Sequence, residues 1–381
     1  MIVSGQFQPP SRQLVVYGEP FADALPRVFK QFWVGQAVAV TNTSLAAKGG
    51  LAGKVSAILG ETLRNTITGI RENSPREDVM RVATALRSKG VDAVVAIGGG
   101  SVVEAVKAAR ICLTNNVKNA ADLDRLKTST TAASPRPYLI SVPTTLSGAE
   151  FTQFAGITDE RTGIKDAFHH KDLAPDVVIL DPEATLTTPE RLWLSTGVRA
   201  LDHAVETWCA KEPTPYSDAT SLFAARTLAH WLPTTKIAPG DIQARLGCQV
   251  GGWMAIQGAT IGVSHGASHG IGHALSAVTG MTHGITSCIM LPHVLRYNLP
   301  ASRDRQAVVA QAMGKPDETL ADIVAGIVVN LGLPARLRDA GVRHDQISAI
   351  AKVALANPCV RANIRPIDTE HAMTQLIESA F

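Results

Sequence analysis

The segment Ser264-His265-Gly266-Ala267-Ser268-His269-Gly270-Ile271-Gly272-His273 carries histidines at every fourth position, and His283-Gly284 follows ten residues after the last of them. Residues four apart share one face of an α-helix, so His265, His269 and His273 are expected to form a single imidazole stripe. The turn Gly280-Met281-Thr282-His283-Gly284 can bring a fourth ring back toward it. Imidazole acts as metal ligand, proton carrier or charge sensor near neutral pH, which makes this segment the first candidate for an active site. The bland alternative is a helix face with incidental polar histidines. A second chemical feature is Gly98-Gly99-Gly100-Ser101, placed between the apolar run Ala93-Val94-Val95-Ala96-Ile97 and the helical pattern that opens at Val102. Glycines there let the backbone approach a ligand closely. Free N–H groups and the positive end of the next helix then suit a phosphate or pyrophosphate. The competing reading is a plain tight turn. Pro143-Thr144-Thr145 adds two hydroxyls after a later strand.

These residues need a scaffold, and the first half of the chain supplies one. Leu14-Val15-Val16-Tyr17, Ala37-Val38-Ala39-Val40, Ala93 to Ile97, Tyr138 to Val142 and Val177 to Leu180 read as strands. Their apolar residues run continuously rather than alternately, as in a parallel sheet covered on both faces. Helical patterns lie between them; one opens at Ser74-Pro75-Arg76-Glu77, with Ser74 as the expected N-cap and Pro75 in the first turn. Strand and helix in alternation predict a doubly wound, mostly parallel α/β domain. After about Thr188 long Ala/Leu-rich helical patterns take over, including Gly197 to Cys209 and Ser217 to Trp231. The expected division is an α/β dinucleotide-binding domain over 1–187 and an all-helical catalytic domain over 188–381, with the site in the cleft between them. The stretch from Leu113 to Pro137, rich in Asn, Ser, Thr and Ala, reads as a surface excursion.

Bulk properties narrow the function. The 381 residues are 45% hydrophobic and 18% charged, an ordinary globular balance. A net charge of +3 is too small to imply nucleic acid or a membrane surface as partner. Five cysteines without a Cys-x-x-Cys fit reduced thiols, hence a cytoplasmic protein. Met1 to Gln6 shows no basic region leading into an apolar core. No apolar run approaches the ~20 residues that span a bilayer. A small molecule is the expected partner.

The order of the motifs resembles the iron-containing alcohol dehydrogenase family. It comprises Gly98 to Ser101, Pro143-Thr144-Thr145, Gly197-Val198-Arg199-Ala200-Leu201-Asp202-His203-Ala204-Val205-Glu206, the histidine segment, and His283-Gly284 through Leu291-Pro292-His293 to Asn298. The resemblance extends to Asn363-Ile364-Arg365-Pro366-Ile367 near the C-terminus. It implies hydride transfer between NADH or NADPH and a carbonyl compound, and a homodimer or larger homo-oligomer. It also implies roles residue by residue. Gly98, Gly99, Gly100 and Ser101 hold the pyrophosphate with Thr144 and Thr145, and Lys165 lies near the nicotinamide ribose. Asn42 stands where NAD-selective members place an Asp on the ribose hydroxyls, so it neither rewards a 2′-hydroxyl strongly nor repels a 2′-phosphate. His203, His269 and His283 match metal ligands, and His273 matches a further histidine near the nicotinamide.

The fourth ligand position departs from the pattern. Metal-dependent members carry Asp there; this chain has Arg199. A permanent cation opposes a divalent ion and favours an anion. Asp202, next to His203, is about 100° around the helix from it and reads as a poor substitute ligand. The maleylacetate reductase branch similarly lacks the Asp and reduces a dicarboxylate without a metal, and Pro143 to Thr152 resembles that branch in length and pattern. The expectation is therefore a reductase of a small acidic oxo compound, with His273 as proton donor, Arg199 as carboxylate anchor and a metal in doubt. The alternatives are an alcohol or aldehyde dehydrogenase with Fe or Zn on His203, His269 and His283, a lyase like dehydroquinate synthase, and a nucleotide-binding protein without catalysis.

Overall fold

A computed structural model describes residues 13–126, 136–170 and 172–381. The N-terminal reading at Met1 to Gln6 and the middle of the 113–137 excursion lie outside the described residues. Eight strands follow in chain order: β1 (Leu14–Tyr17), β2 (Ala37–Thr41), β3 (Leu63–Ile67), β4 (Ala93–Gly98), β5 (Tyr138–Pro143), β6 (Phe154–Asp159), β7 (Ile164–His169) and β8 (Val177–Leu180). Six form one sheet in the order β1-β8-β5-β4-β2-β3, every neighbouring pair parallel. Both faces are covered. Val38, Val40, Val94 and Ala96 pack with Val79, Val82, Val102 and Val106 on one side. On the other, Ala39, Val95 and Ile97 pack with Leu25, Val28, Leu51 and Val55. Burial on both faces is the physical reason the inner strands read as unbroken apolar runs.

Three strands have no clear signal in the sequence. Strand β3 lies at the sheet edge with Arg64 and Asn65 exposed, so it lacks an apolar run. Strands β6 and β7 form a separate antiparallel hairpin. A buried cation ties this hairpin down. The Arg76 guanidinium pairs with Asp124 and Asp166 at 2.8 Å and with Asp159 at 3.3 Å. Ser74 also differs from expectation: Pro75 is the N-cap of the helix Arg76–Leu86, and the Ser74 hydroxyl instead donates to the Ser101 carbonyl at 2.7 Å.

From Glu190 onward every described regular element is helical. The helices Glu190–Trp208, Ala267–Thr279 and His283–Ala312 pack around one apolar core that includes Val198, Leu201, Val205, Ile271, Leu275, Ile289 and Leu291. No helix among the described residues is long and apolar enough to cross a membrane, and all five cysteines are free thiols.

Candidate active site

The C-terminal ends of β2, β4 and β5 bring the first group of expected residues together, as open α/β sheets do for their ligands. Gly98 pairs in register with Pro143. Its φ of +148° is a conformation that side chains rarely adopt, and a Cβ there would stand 2.8 Å from Val102 Cγ2. Gly99 caps the helix Gly100–Thr114 without any side-chain cap, which leaves the helix N-terminus open to an anion. A Cβ on Gly99 would lie 3.1 Å from Thr145 Cγ2, and one on Gly100 would lie 3.0 Å from Ser147 Oγ. Neighbouring side chains leave no room for a Cβ at these glycines, so the turn presents bare backbone and an uncapped helix N-terminus as a cradle, with Thr144 and Thr145 buried beside it. Such a cradle fits a dinucleotide pyrophosphate. Ser101 Oγ, in contrast, accepts the Asn73 N–H at 3.0 Å, so its hydroxyl oxygen already has a backbone partner. Asn42 follows the end of β2, where its Oδ1 accepts from the Ser44 hydroxyl and the Leu45 N–H, both at 3.0 Å. Lys165 sits on the hairpin with its Nζ 3.1 Å from Glu104 Oε2, and its charge lowers the basicity of both His273 and His283.

Gly99→Val would force Thr145 aside and distort the cradle, so NAD(P)H affinity is expected to fall at least about tenfold, ~1.4 kcal/mol. Titration by nicotinamide fluorescence measures it. Unchanged affinity in a folded variant would move the phosphate site elsewhere.

The histidines form two groups rather than one stripe. The helix Ala267–Thr279 starts after Gly266, whose extended backbone (φ −108°, ψ −151°) leaves His265 outside the helix. His265 still stacks on His269, ring centroids 3.9 Å apart and 17° between planes. His203 lies against both, at 5.1 and 4.8 Å. His273 and His283 form the second pair, edge to face at 5.4 Å. His203 and His269 are buried, while His265, His273 and His283 are half-buried. His203 Nδ1, His265 Nε2, His269 Nε2 and His283 Nδ1 are buried without a hydrogen-bond partner. Buried polar atoms of this kind call for a partner or a ligand.

Arg199 is the electrostatic centre of the cluster. Its guanidinium donates to Ser287 Oγ at 3.1 Å and lies 3.9 Å from Asp202 Oδ2. Burial, then the Arg199 charge, holds His273 down at about 4 and His265 at about 3. The same two causes hold His203, His269 and His283 well below the usual imidazole range. The five rings are therefore neutral at pH 7.

Behind the rings lie two carboxylates to which the sequence reading gave no role in the site. Asp202 Oδ2 accepts from the Ser287 and Ser268 hydroxyls at 2.6 and 2.8 Å, and its Oδ1 has no partner. Glu206 closes the N-terminus of the histidine helix. It takes the Ser268 N–H on Oε1 at 2.8 Å, and the N–H groups of Gly266 and His269 on Oε2 at 2.9 and 3.3 Å. Its Oε2 also shares a proton with His269 Nδ1 across 2.7 Å. Burial pushes both carboxyls up, and Asp202 pushes Glu206 further. Neither contact has a local sequence signal, because Glu206 is some sixty residues away from the helix it caps.

The metal question has two parts. At the positions that the resemblance assigned to ligands, the buried Arg199 guanidinium shares the cluster with His203, His269 and His283, and its fixed charge opposes a divalent cation there. Asp202, Glu206 and His269, however, are all buried with ligand atoms within 4.8 Å of one another, a group that could hold a metal ion. Asp202 thus corrects its reading as a poor ligand, and Arg199 alone does not decide against a metal.

Comparisons with known proteins agree with this architecture. Residues 12–182 match the family model "Iron-containing alcohol dehydrogenase", and 193–381 match "Fe-containing alcohol dehydrogenase family, C-terminal". Dehydrogenase ALT3 of Alternaria alternata is 33% identical over 85% of this chain and 93% of its own length. A maleylacetate reductase of Sphingobium indicum is 32% identical over 91% of this chain and 90% of its own. The crystal structure of maleylacetate reductase from Agrobacterium tumefaciens superposes with a TM-score of 0.83 at 25% identity, covering 100% of this chain and 99% of that one.

Proposed function

The chain belongs to the iron-containing alcohol dehydrogenase family of NAD(P)-using oxidoreductases, and from that premise we propose that it reduces a small acidic oxo compound with NADH or NADPH and without a metal. One observation carries the choice of an acidic substrate: the buried Arg199 guanidinium in the middle of five neutral histidines. A buried cation needs an anion. Asp202 supplies part of one at 3.9 Å and spends its Oδ2 on two serine hydroxyls. Glu206 acts on the guanidinium only through its charge, and among the described residues the one side-chain hydrogen bond from Arg199 goes to Ser287, so a substrate carboxylate is the direct complement this arrangement favours.

The nicotinamide, when bound, supplies the hydride. The protein's part is positioning and proton supply. Gly98, Gly99 and Gly100 with Thr144 and Thr145 hold the pyrophosphate; Lys165 and Asn42 lie toward the two riboses. Arg199 holds the carboxylate, and His273 offers its Nε2–H to the carbonyl oxygen. The resting His273 ring is neutral, since burial and then the Arg199 charge depress it. Nε2 passes its proton to the strongly basic alkoxide that hydride transfer creates and regains one from solvent, so the ring begins and ends each turnover neutral. His203, His269 and His283 wall the site as neutral polar groups. The cleft between 1–187 and 188–381 encloses these parts.

A metal on Asp202, Glu206 and His269 is the second reading, favoured by the clustering of their ligand atoms. Against it, the two Glu206 oxygens already accept three backbone N–H groups, and Oε2 shares a proton with His269 Nδ1. Purified enzyme is expected to oxidise NAD(P)H fastest with oxo dicarboxylates in a panel of oxo acids and aldehydes. It should keep that rate after chelation and carry well under one transition metal per chain. Stoichiometric iron or zinc, with activity lost to chelator and restored by that metal, would establish the second reading instead.

A further inference from the structure

His273 has a polar partner from a distant part of the chain. The short helix Pro358–Ala362 presses against the histidine helix at Gly270, where a Cβ would stand 2.5 Å from Val360 Cγ2 and 2.9 Å from the Val360 backbone nitrogen. Only a residue without a side chain permits that approach. The contact delivers Asn357, the N-cap of the short helix, to the imidazole: its amide lies 3.2 Å from His273 Nδ1.

The orientation of that amide is fixed from its other end. Asn357 Oδ1 accepts the Cys359 N–H at 3.0 Å, and a backbone N–H can only donate. The oxygen is therefore committed to the cap, and the atom facing His273 is the NH2 group. An NH2 donor requires a lone pair on Nδ1, so the proton of the neutral ring lies on Nε2.

We propose that Asn357 is a positioning residue that locks His273 in the Nε2–H tautomer, so that its N–H rather than a lone pair faces the substrate oxygen. The proposal rests on the reading of His273 as proton donor only for its effect on rate; the tautomer itself is a property of the free enzyme. Asn357 acts through the ring, by its contact with Nδ1.

Asn357→Asp tests it. Aspartate keeps the oxygen that caps the Cys359 N–H, and Asp is as good an N-cap as Asn, so the fold is retained. It presents an acceptor to Nδ1, which draws the ring proton there and strips it from Nε2. In 15N-histidine-labelled enzyme, with His273 assigned by its loss in His273→Gln, the wild type is expected to show a protonated Nε2 and a bare Nδ1. Asn357→Asp should reverse the two, and kcat with an oxo acid should fall about 10–100-fold while NAD(P)H affinity holds. Gly270→Ala, which pushes the short helix away with both side chains intact, should also lose the single tautomer. A wild-type ring protonated on Nδ1, or a tautomer unchanged in Asn357→Asp, would overturn the proposal. A reversed tautomer with unchanged kcat would support Asn357 as the lock and refute His273 as the donor.

Discussion

His273→Ala is expected to lower kcat by ~10²–10⁴-fold, the usual contribution of a positioned proton donor, while NAD(P)H affinity stays near that of the wild type. The split follows from where the ring stands. It is half-buried on the histidine helix, its Nδ1 is held by Asn357, and its charge state is set by burial, Arg199 and Lys165. Removing it takes away a proton source and leaves the glycine cradle at Gly98 to Gly100 untouched. The stability cost is small, because the Asn357 amide keeps its cap bond to the Cys359 N–H. Steady-state kinetics with an oxo acid, alongside nicotinamide fluorescence titration, reads both quantities. Equal losses in kcat and in cofactor affinity would make His273 a structural residue and pass the proton role elsewhere.

The parts of this site that lie close together in sequence were legible there. The glycine turn was readable because a strand, three glycines and a helix follow one another without interruption. The histidine segment was readable as chemistry but not as geometry. Spacing of four predicted one stripe, whereas the extended Gly266 starts the helix two residues late for His265. What the sequence concealed are contacts made across long separations. Glu206 and Asn363 take the N–H groups of the histidine helix from 60 and 96 residues away. Asn357 meets His273 from 84. Each reads locally as something ordinary: Glu206 as a charge in a helical run, Asn357 as a cap before proline. The hairpin β6–β7 was hidden because burial alternates along β6 while hydrophobicity does not: Phe154 is exposed and Asp159 is buried.

The central claim is that a fixed cation at position 199 recognises an anionic substrate. Arg199→Gln removes the charge while keeping a donor for Ser287. Asp202, already pushed upward by burial, loses its cationic neighbour and is raised further, so it takes a proton rather than remain a bare buried charge. Truncating one member of a buried, hydrogen-bonded charge pair costs about 2–5 kcal/mol. For a substrate carboxylate on Arg199 this corresponds to a fall in kcat/KM of ~10²-fold, ~2.7 kcal/mol. A neutral aldehyde has no such pair to lose. The decisive measurement is kcat/KM for an oxo dicarboxylate and for a neutral aldehyde, in wild type and in Arg199→Gln, with NAD(P)H saturating. A fall of about 10²-fold for the diacid against less than about threefold for the aldehyde is the predicted result. Equal losses on both substrates, or none on the diacid, would contradict it.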